Sequence, residues 1–413
     1  MPITVENLQE TVAKIVQAER VTDMHTHLFA PELGDLLLSG ADELMEFHYV
    51  ISEAFRVHKT PYEEFWALSK PERAQIVWNS LFVENTPLSE AASGIVEIAK
   101  AFGCDMSQLS LETLRQTLSD VPTDAYIERV LDIAGVEQLV MTNDPFDPAE
   151  HAEWARGLTL NPRFHAALRL DQLLNHFDSA AAVLAGWGYD VSADLSGKSV
   201  AEVARFLSDW TDKMNPIYLA FSAADDFQYP EQSARGRILQ EAILPLCAER
   251  NLPLSLMIGS RRGVNPALKL AGDSLGKASM RAIEALCANH PENKFLVTLL
   301  SRESQHELVV TARKFHNLMI FGCWWFVNTD TLVTEITRMR MELLGPTFVP
   351  QHSDARVLEH VIYKWQRARS IVTRVLTDKY RVLLEQGWSL TEKQIQRDVN
   401  KLFNQNFWDF VNR

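Results

Sequence analysis

An α/β fold, a TIM (β/α)8 barrel carrying two helical inserts, is what this amino-acid sequence predicts, and three observations point to it. Eight short apolar runs rich in β-branched residues recur along the chain, each followed by polar or loop-like residues. Helix-patterned stretches lie between most of them, and strands alternating with helices build a parallel sheet. Two intervals, after the first run and after the third, are too long for ordinary βα loops and carry helical patterns of their own. Eight units in one chain favour a closed barrel over an open sheet. No Gly-x-Gly-x-x-Gly follows the first strand to suggest a dinucleotide-binding sheet instead.

The first strand is expected at Val21–Met24, where apolar alternation leads into His25-Thr-His27. Residues 31–130 then form a large helical insert over the top of the barrel, with helices at Glu43–Val57, Tyr62–Leu68, Pro71–Val83, Glu90–Phe102 and Leu111–Leu118. Strands two and three fall at Gln138–Met141 and His165–Arg169. A smaller insertion spans 176–214, broken at Gly186-Trp-Gly188 and Ser196-Gly197. The remaining strands are Ile217–Phe221, Leu252–Ile258, Lys294–Leu300, Leu318–Phe321 and Phe348–Gln351. Helices at Ile238–Arg250, Lys277–His290, Gln305–Phe315 and Thr331–Leu344 connect them, and Arg356–Arg413 is mostly helical, packed outside. Residues 1–30 and 131–413 thus make the barrel domain.

The 413 residues, 46% hydrophobic and 23% charged, can bury a sizeable core. A net charge of −14 argues against nucleic acid and against an anionic membrane as partners, since both need a basic surface. Cys104, Cys247, Cys287 and Cys323 show no C-x-x-C spacing and, Cys104 aside, sit in apolar runs as buried thiols. The N-terminus lacks a basic stretch followed by an apolar core, and no run reaches membrane-spanning length. A cytoplasmic enzyme is expected, and the aromatic-rich insert surface suggests a homo-oligomer.

In such barrels chemistry sits at the C-terminal strand ends. His25 and His27, two residues apart, share a face and form a ready ligand pair for a divalent metal. By the same parity His352, Asp354 and Arg356 share a face on the eighth strand, across the barrel. Asp354 would complete a metal site of two imidazoles and one carboxylate with open positions. Zinc is the default for that set, with manganese, iron or cobalt also suited. Arg169, Arg302 and Arg356 each follow a strand end, and three guanidiniums at one mouth fit an anionic substrate. Arg261 and Arg262 read as solvated loop residues, and of Trp324 and Trp325 one, Trp325, is expected to face the site.

His-x-His after strand one with Asp after strand eight resembles the amidohydrolase superfamily. That superfamily often adds Lys or Glu on strand four and His on strands five and six. The corresponding ends here, Ala220-Phe221, Met257 and Leu300-Ser301, offer no ligand, so the resemblance implies at most one metal. Further blocks resemble uronate isomerases: Asp23-Met-His-Thr-His27, His48-Tyr49, Thr142-Asn-Asp-Pro145 and Ala167-Leu-Arg-Leu-Asp171. Leu300-Ser-Arg302, Cys323-Trp-Trp-Phe326 and His352-Ser-Asp-Ala-Arg356 continue the match in the same order. The chain is shorter than typical members and has Leu256-Met257-Ile-Gly259 where they commonly carry a His, as in a divergent branch.

The resemblance implies aldose–ketose isomerisation of a hexuronate, D-glucuronate to D-fructuronate or D-galacturonate to D-tagaturonate, by moving a proton between C2 and C1. It implies Asp354 as proton-transfer group as well as metal ligand, with His48 and Tyr49 in the acid/base relay or on the sugar hydroxyls. Arg169, Arg302, Arg356 and Trp325 are the expected substrate contacts. The rival expectation is a metal-dependent hydrolase or decarboxylase of the same superfamily.

Overall fold

The computed structural model describes residues 3–413. Its strands are β1 (Val21–Thr26), β2 (Val136–Asn143), β3 (Phe164–Arg169), β4 (Leu219–Ala224), β5 (Leu254–Arg261), β6 (Ser274–Leu275), β7 (Phe295–Leu299) and β8 (Leu318–Ile320). All except β6 run parallel, each beside the next in a curled sheet; β6 pairs antiparallel with the end of β5. Helices intervene between the parallel strands, as in a TIM-like α/β barrel.

The eighth expected strand, Phe348–Gln351, is replaced by an irregular segment that still does a strand's work. Only Val349 bridges to Phe321; Val349 N donates to Ile320 O at 3.1 Å and Gly322 N to Val349 O at 2.8 Å. Pro350 interrupts the ladder, having no N–H to give. Further on, Asp354 N donates to His25 O at 3.2 Å and His27 N to Ala355 O at 2.8 Å. Residues 348–355 therefore close the ring between β8 and β1.

Met24, Val140, Ala167, Tyr218, Leu296 and Phe321 form the buried cluster inside the ring, with Phe407 and Phe410 of the last helix packed against it. A second, larger apolar layer lies between strands and helices. Burial on both faces is why these strands read as continuous apolar runs rather than strict alternations.

Between β1 and β2 the chain is helical, and the expected helix Glu43–Val57 breaks at Phe47, whose backbone is extended (φ −61°, ψ 128°). The break starts a new helix, His48–Val57, so that His48 and Tyr49 occupy its first turn. The 26-residue helix His360–Glu385 packs against helices Val5–Ala18 and Glu90–Ala101 and joins barrel to insert. Among the described residues no helix is long and apolar enough to cross a membrane.

Candidate active site

β1 delivers His25 and His27 to the mouth of the ring, and the closing segment delivers Asp354. His25 Nε2 and His27 Nε2 lie 3.6 and 3.3 Å from Asp354 Oδ1, and the three ligand atoms are within 4.8 Å of one another. No other His, Cys, Asp or Glu group among the described residues is so arranged. Burial pushes the His25 pKa down to about 3, and burial together with Arg356 and Arg169 holds His27 well below its usual value. Both rings are therefore neutral near pH 7, and Asp354 Oδ1 is buried with no hydrogen-bond donor. An orphaned carboxylate oxygen facing two neutral imidazole nitrogens is what a divalent cation would satisfy, so the residues fit one metal ion.

Asp354 is held in the left-handed region (φ 53°), as is Trp325 (φ 48°). Such a backbone costs on the order of 1 kcal/mol for a non-glycine residue and persists only where neighbours over-determine it. Around Asp354 they do. Asp23, fully buried on β1, accepts from Ser353 N at 3.0 Å and from Trp365 Nε1 at 2.8 Å. Ala355 N donates to Ser353 Oγ at 3.2 Å. The turn also breaks the parity expected for this segment. His352 points into the barrel, its ring 5.3 Å from those of His25 and Phe321, while Asp354 and Arg356 line the cavity. Gly322 (φ 58°) makes room for His352, since a Cβ there would fall 1.7 Å from His352 Nδ1.

His25, His27, His48, Arg169, Arg262, Trp324, Trp325, Asp354 and Arg356 surround a cavity of about 20 Å³, room for a water molecule or two. His48 and Arg356 also face an outer groove of about 280 Å³ between the insert and the loop at Leu268–Ala271. Arg169 donates through Nε and Nη2 to Asp171 Oδ2 at 2.9 and 2.6 Å, and Asp171 Oδ1 accepts from Ser222 N. Arg356 makes no hydrogen bond or ion pair among the described residues; burial lowers its pKa, and the strongest opposing charge on it is that of Asp354. Trp325 Nε1 is likewise a buried donor without a partner. Tyr49 stands behind Trp325, the two rings parallel to within 1° and 6.4 Å apart. Burial raises its hydroxyl well above the usual value, and the Asp354 charge adds to this.

The structure thus brings together His25, His27, His48, Arg169, Trp325, Asp354 and Arg356, with Tyr49 directly behind. Arg302 is apart from them: it is 60% exposed and bonds to Glu335 from the surface side, Nη2 to Oε2 at 2.9 Å. It begins a short 3-10 turn, Arg302–Ser304, which carries it off the strand axis. The third guanidinium at the cavity is Arg262, which sits in the exposed loop expected for it (side chain 49% exposed) yet reaches the cavity, paired with Asp273, which also accepts from Gly263 N at 2.8 Å. Trp324 lines the cavity too.

No protein-family model and no curated protein matches the chain. Among solved structures it is similar to a uronate isomerase from Bacillus halodurans C-125, at 48% identity and a TM-score of 0.98, over 100% of this chain and 98% of that one. The chain belongs to the uronate isomerase family. A uronate isomerase from Thermotoga maritima shares the fold at 14% identity and a TM-score of 0.77, covering 98% and 97% of the two chains. A glucuronate isomerase from Caulobacter crescentus does so at 15% and 0.78, covering 99% and 94%. The middle strands face the cavity with Ser222 and Met257, so His25, His27 and Asp354 are the only His, Cys, Asp or Glu group among the described residues arranged to hold a metal ion.

Proposed function

We propose that this chain interconverts a hexuronate aldose and its ketose, D-glucuronate with D-fructuronate or D-galacturonate with D-tagaturonate, assisted by one divalent metal, zinc in the first instance. The observation that carries the substrate class is Arg356: a half-buried guanidinium, unpaired among the described residues and beside a metal-fitting His25–His27–Asp354 set, suits a small anion bearing hydroxyls. Bound on that set, the metal supplies a Lewis acid for a substrate carbonyl or hydroxyl oxygen.

The chain's own residues divide the remaining work. Arg356 takes the carboxylate, which orients the reducing end toward Asp354. Asp354 removes the proton at C2 and returns it at C1, passing through an enediol. His48, neutral because burial lowers its pKa, exchanges a proton with the oxygen on C1 or C2, and Tyr49 supports that exchange from behind. Arg169, locked by Asp171, and Trp325 Nε1 hold hydroxyls. The outer groove supplies the room for substrate that the inner cavity lacks.

A panel of hexuronates assayed for ketose tests this reading. Ketose is expected from D-glucuronate, D-galacturonate or both, and in heavy water the C1 hydrogen of the product reports exchange at the base. No ketose from either substrate with zinc-, manganese- or cobalt-loaded protein would overturn the proposal.

A further inference from the structure

Two hydroxyl groups outside the ligand set make the same pair of bonds, one at each histidine. Tyr218, fully buried immediately before β4, donates its hydroxyl proton to Met24 O at 2.7 Å, and its Oη lies 3.3 Å from His25 Nδ1. Thr142, buried near the end of β2, donates to Thr26 O at 2.7 Å, and its Oγ1 lies 3.2 Å from His27 Nδ1. Each hydroxyl spends its single proton on the carbonyl of the residue immediately before a histidine. It then has only lone pairs left to offer that histidine's ring.

We infer that Tyr218 and Thr142 are positioning residues that hold His25 and His27 in the Nδ1–H tautomer, leaving both Nε2 lone pairs directed at the cation site. A backbone carbonyl can only accept, so neither hydroxyl can rotate to donate to the imidazole without abandoning a buried carbonyl. The ring must therefore carry its proton on Nδ1. Nε2 is the atom that faces Asp354 Oδ1 in both residues. A free neutral histidine favours the opposite tautomer, with the proton on Nε2, and that form cannot ligate through Nε2. Orienting partners of this kind typically change metal affinity by about 10- to 100-fold. Hydroxyls, unlike carboxylates, do this without adding negative charge to a cavity that must also admit an anion. The two devices come from β2 and from the residue before β4, on opposite sides of β3, so each ring is fixed independently.

This inference rests on the metal reading of the site, and the experiment separates the two. Zinc is titrated against a competing chelator into metal-free wild type, Tyr218→Phe, Thr142→Val and Thr142→Ser, and thermal unfolding of each metal-free protein is measured alongside. The zinc dissociation constant is expected to rise about 10- to 100-fold in Tyr218→Phe and in Thr142→Val, while Thr142→Ser, which keeps the hydroxyl, stays within about threefold of wild type. Should Tyr218→Phe not fold, the Val and Ser variants at 142 decide alone. Wild-type affinity in Thr142→Val, or equal losses in the Val and Ser variants, would overturn the inference while leaving the metal site standing. Wild-type protein that takes up no zinc would overturn both.

Discussion

The guanidinium of Arg262 lies over the indole of Trp325, with Cζ 5.7 Å from the ring centroid. Tyr49 stacks near Trp325 as well, and Phe326 lies almost parallel at 4.6 Å. The ring is therefore fixed by neighbours, whereas its Nε1 has no hydrogen-bond partner among the described residues. Replacing Trp325 by Phe should separate these roles. KM for the hexuronate is expected to rise about 2- to 12-fold, the worth of one neutral hydrogen bond. The unfolding midpoint should fall only by what the lost ring volume and the weaker Arg262 contact contribute, because no hydrogen bond among the described residues is lost. Steady-state kinetics with thermal unfolding on the same preparation makes the check.

Arg302 and Arg356 should respond in opposite ways. Arg302→Ala removes an exposed ion pair with Glu335, worth little in stability, and is expected to leave kcat and KM within about twofold of wild type. Arg356→Ala removes the cavity's unpaired guanidinium. A charge-assisted hydrogen bond contributes about 1.5–3 kcal/mol, so KM should rise by about 10- to 150-fold. Equal effects of the two substitutions would contradict the assignment of Arg356.

Asp354→Asn tests proton transfer against metal binding. An amide retains the size of the carboxylate but is no base, and kcat is expected to fall about 10²- to 10⁴-fold. Zinc affinity should fall too, since the only anionic ligand of the set is lost. If turnover survives once the variant is saturated with zinc, Asp354 serves as a ligand alone.

Glu359 gives a pH dependence that lies outside the active site. Its carboxylate is fully buried between Gly40 N, at 3.1 Å, and the Tyr126 hydroxyl, at 2.6 Å, and burial raises its pKa to about 7. A raised folded-state pKa means that the protonated acid stabilises the fold: the contribution is complete below the unfolded value of 4.5 and is lost as pH rises through about 7. Glu359→Gln mimics the protonated form at every pH. Wild type and variant should unfold alike near pH 4.5, and the variant should gain on wild type by on the order of 3 kcal/mol by pH 9. Urea unfolding across that range checks the sign; a difference that stays flat with pH would contradict it.

How much of this could be read from residues alone depended on the range of the interaction. The strand–helix alternation follows local apolar periodicity, so seven of the eight expected strands overlap observed ones. His25 and His27 were readable because one lies on β1 and the other directly after its end. Parity at Asp354 picked a residue that does group with the two histidines, by an argument the backbone does not follow, since the left-handed turn there ends strand geometry. The helix break at Phe47 has no Gly or Pro to announce it. Arg302 fell outside the cavity because a strand-end position says nothing of whether a long side chain turns inward, whereas Arg262 lies in the exposed loop expected for it and still reaches the cavity beside Asp273. Tyr218 leaves no motif at all: its hydroxyl acts across the barrel, 193 residues from His25.

The irregular closure of the ring has a consequence for how the protein comes into being. Asp23 and Ser353, whose bond seals β1 to the last stave, are 330 residues apart in the chain. Contacts of such separation carry the full loop-closure cost and are costly to form early. No metal-fitting set exists in a chain still lacking residue 354, and the Asp23 anchor is incomplete until Trp365 has been added behind it. A nascent or truncated polypeptide ending short of that helix can display His25 and His27, yet has no carboxylate to set against them. On the roles proposed for these residues, a chain that stops before Asp354 carries a pair of histidines without their carboxylate rather than a partly working enzyme.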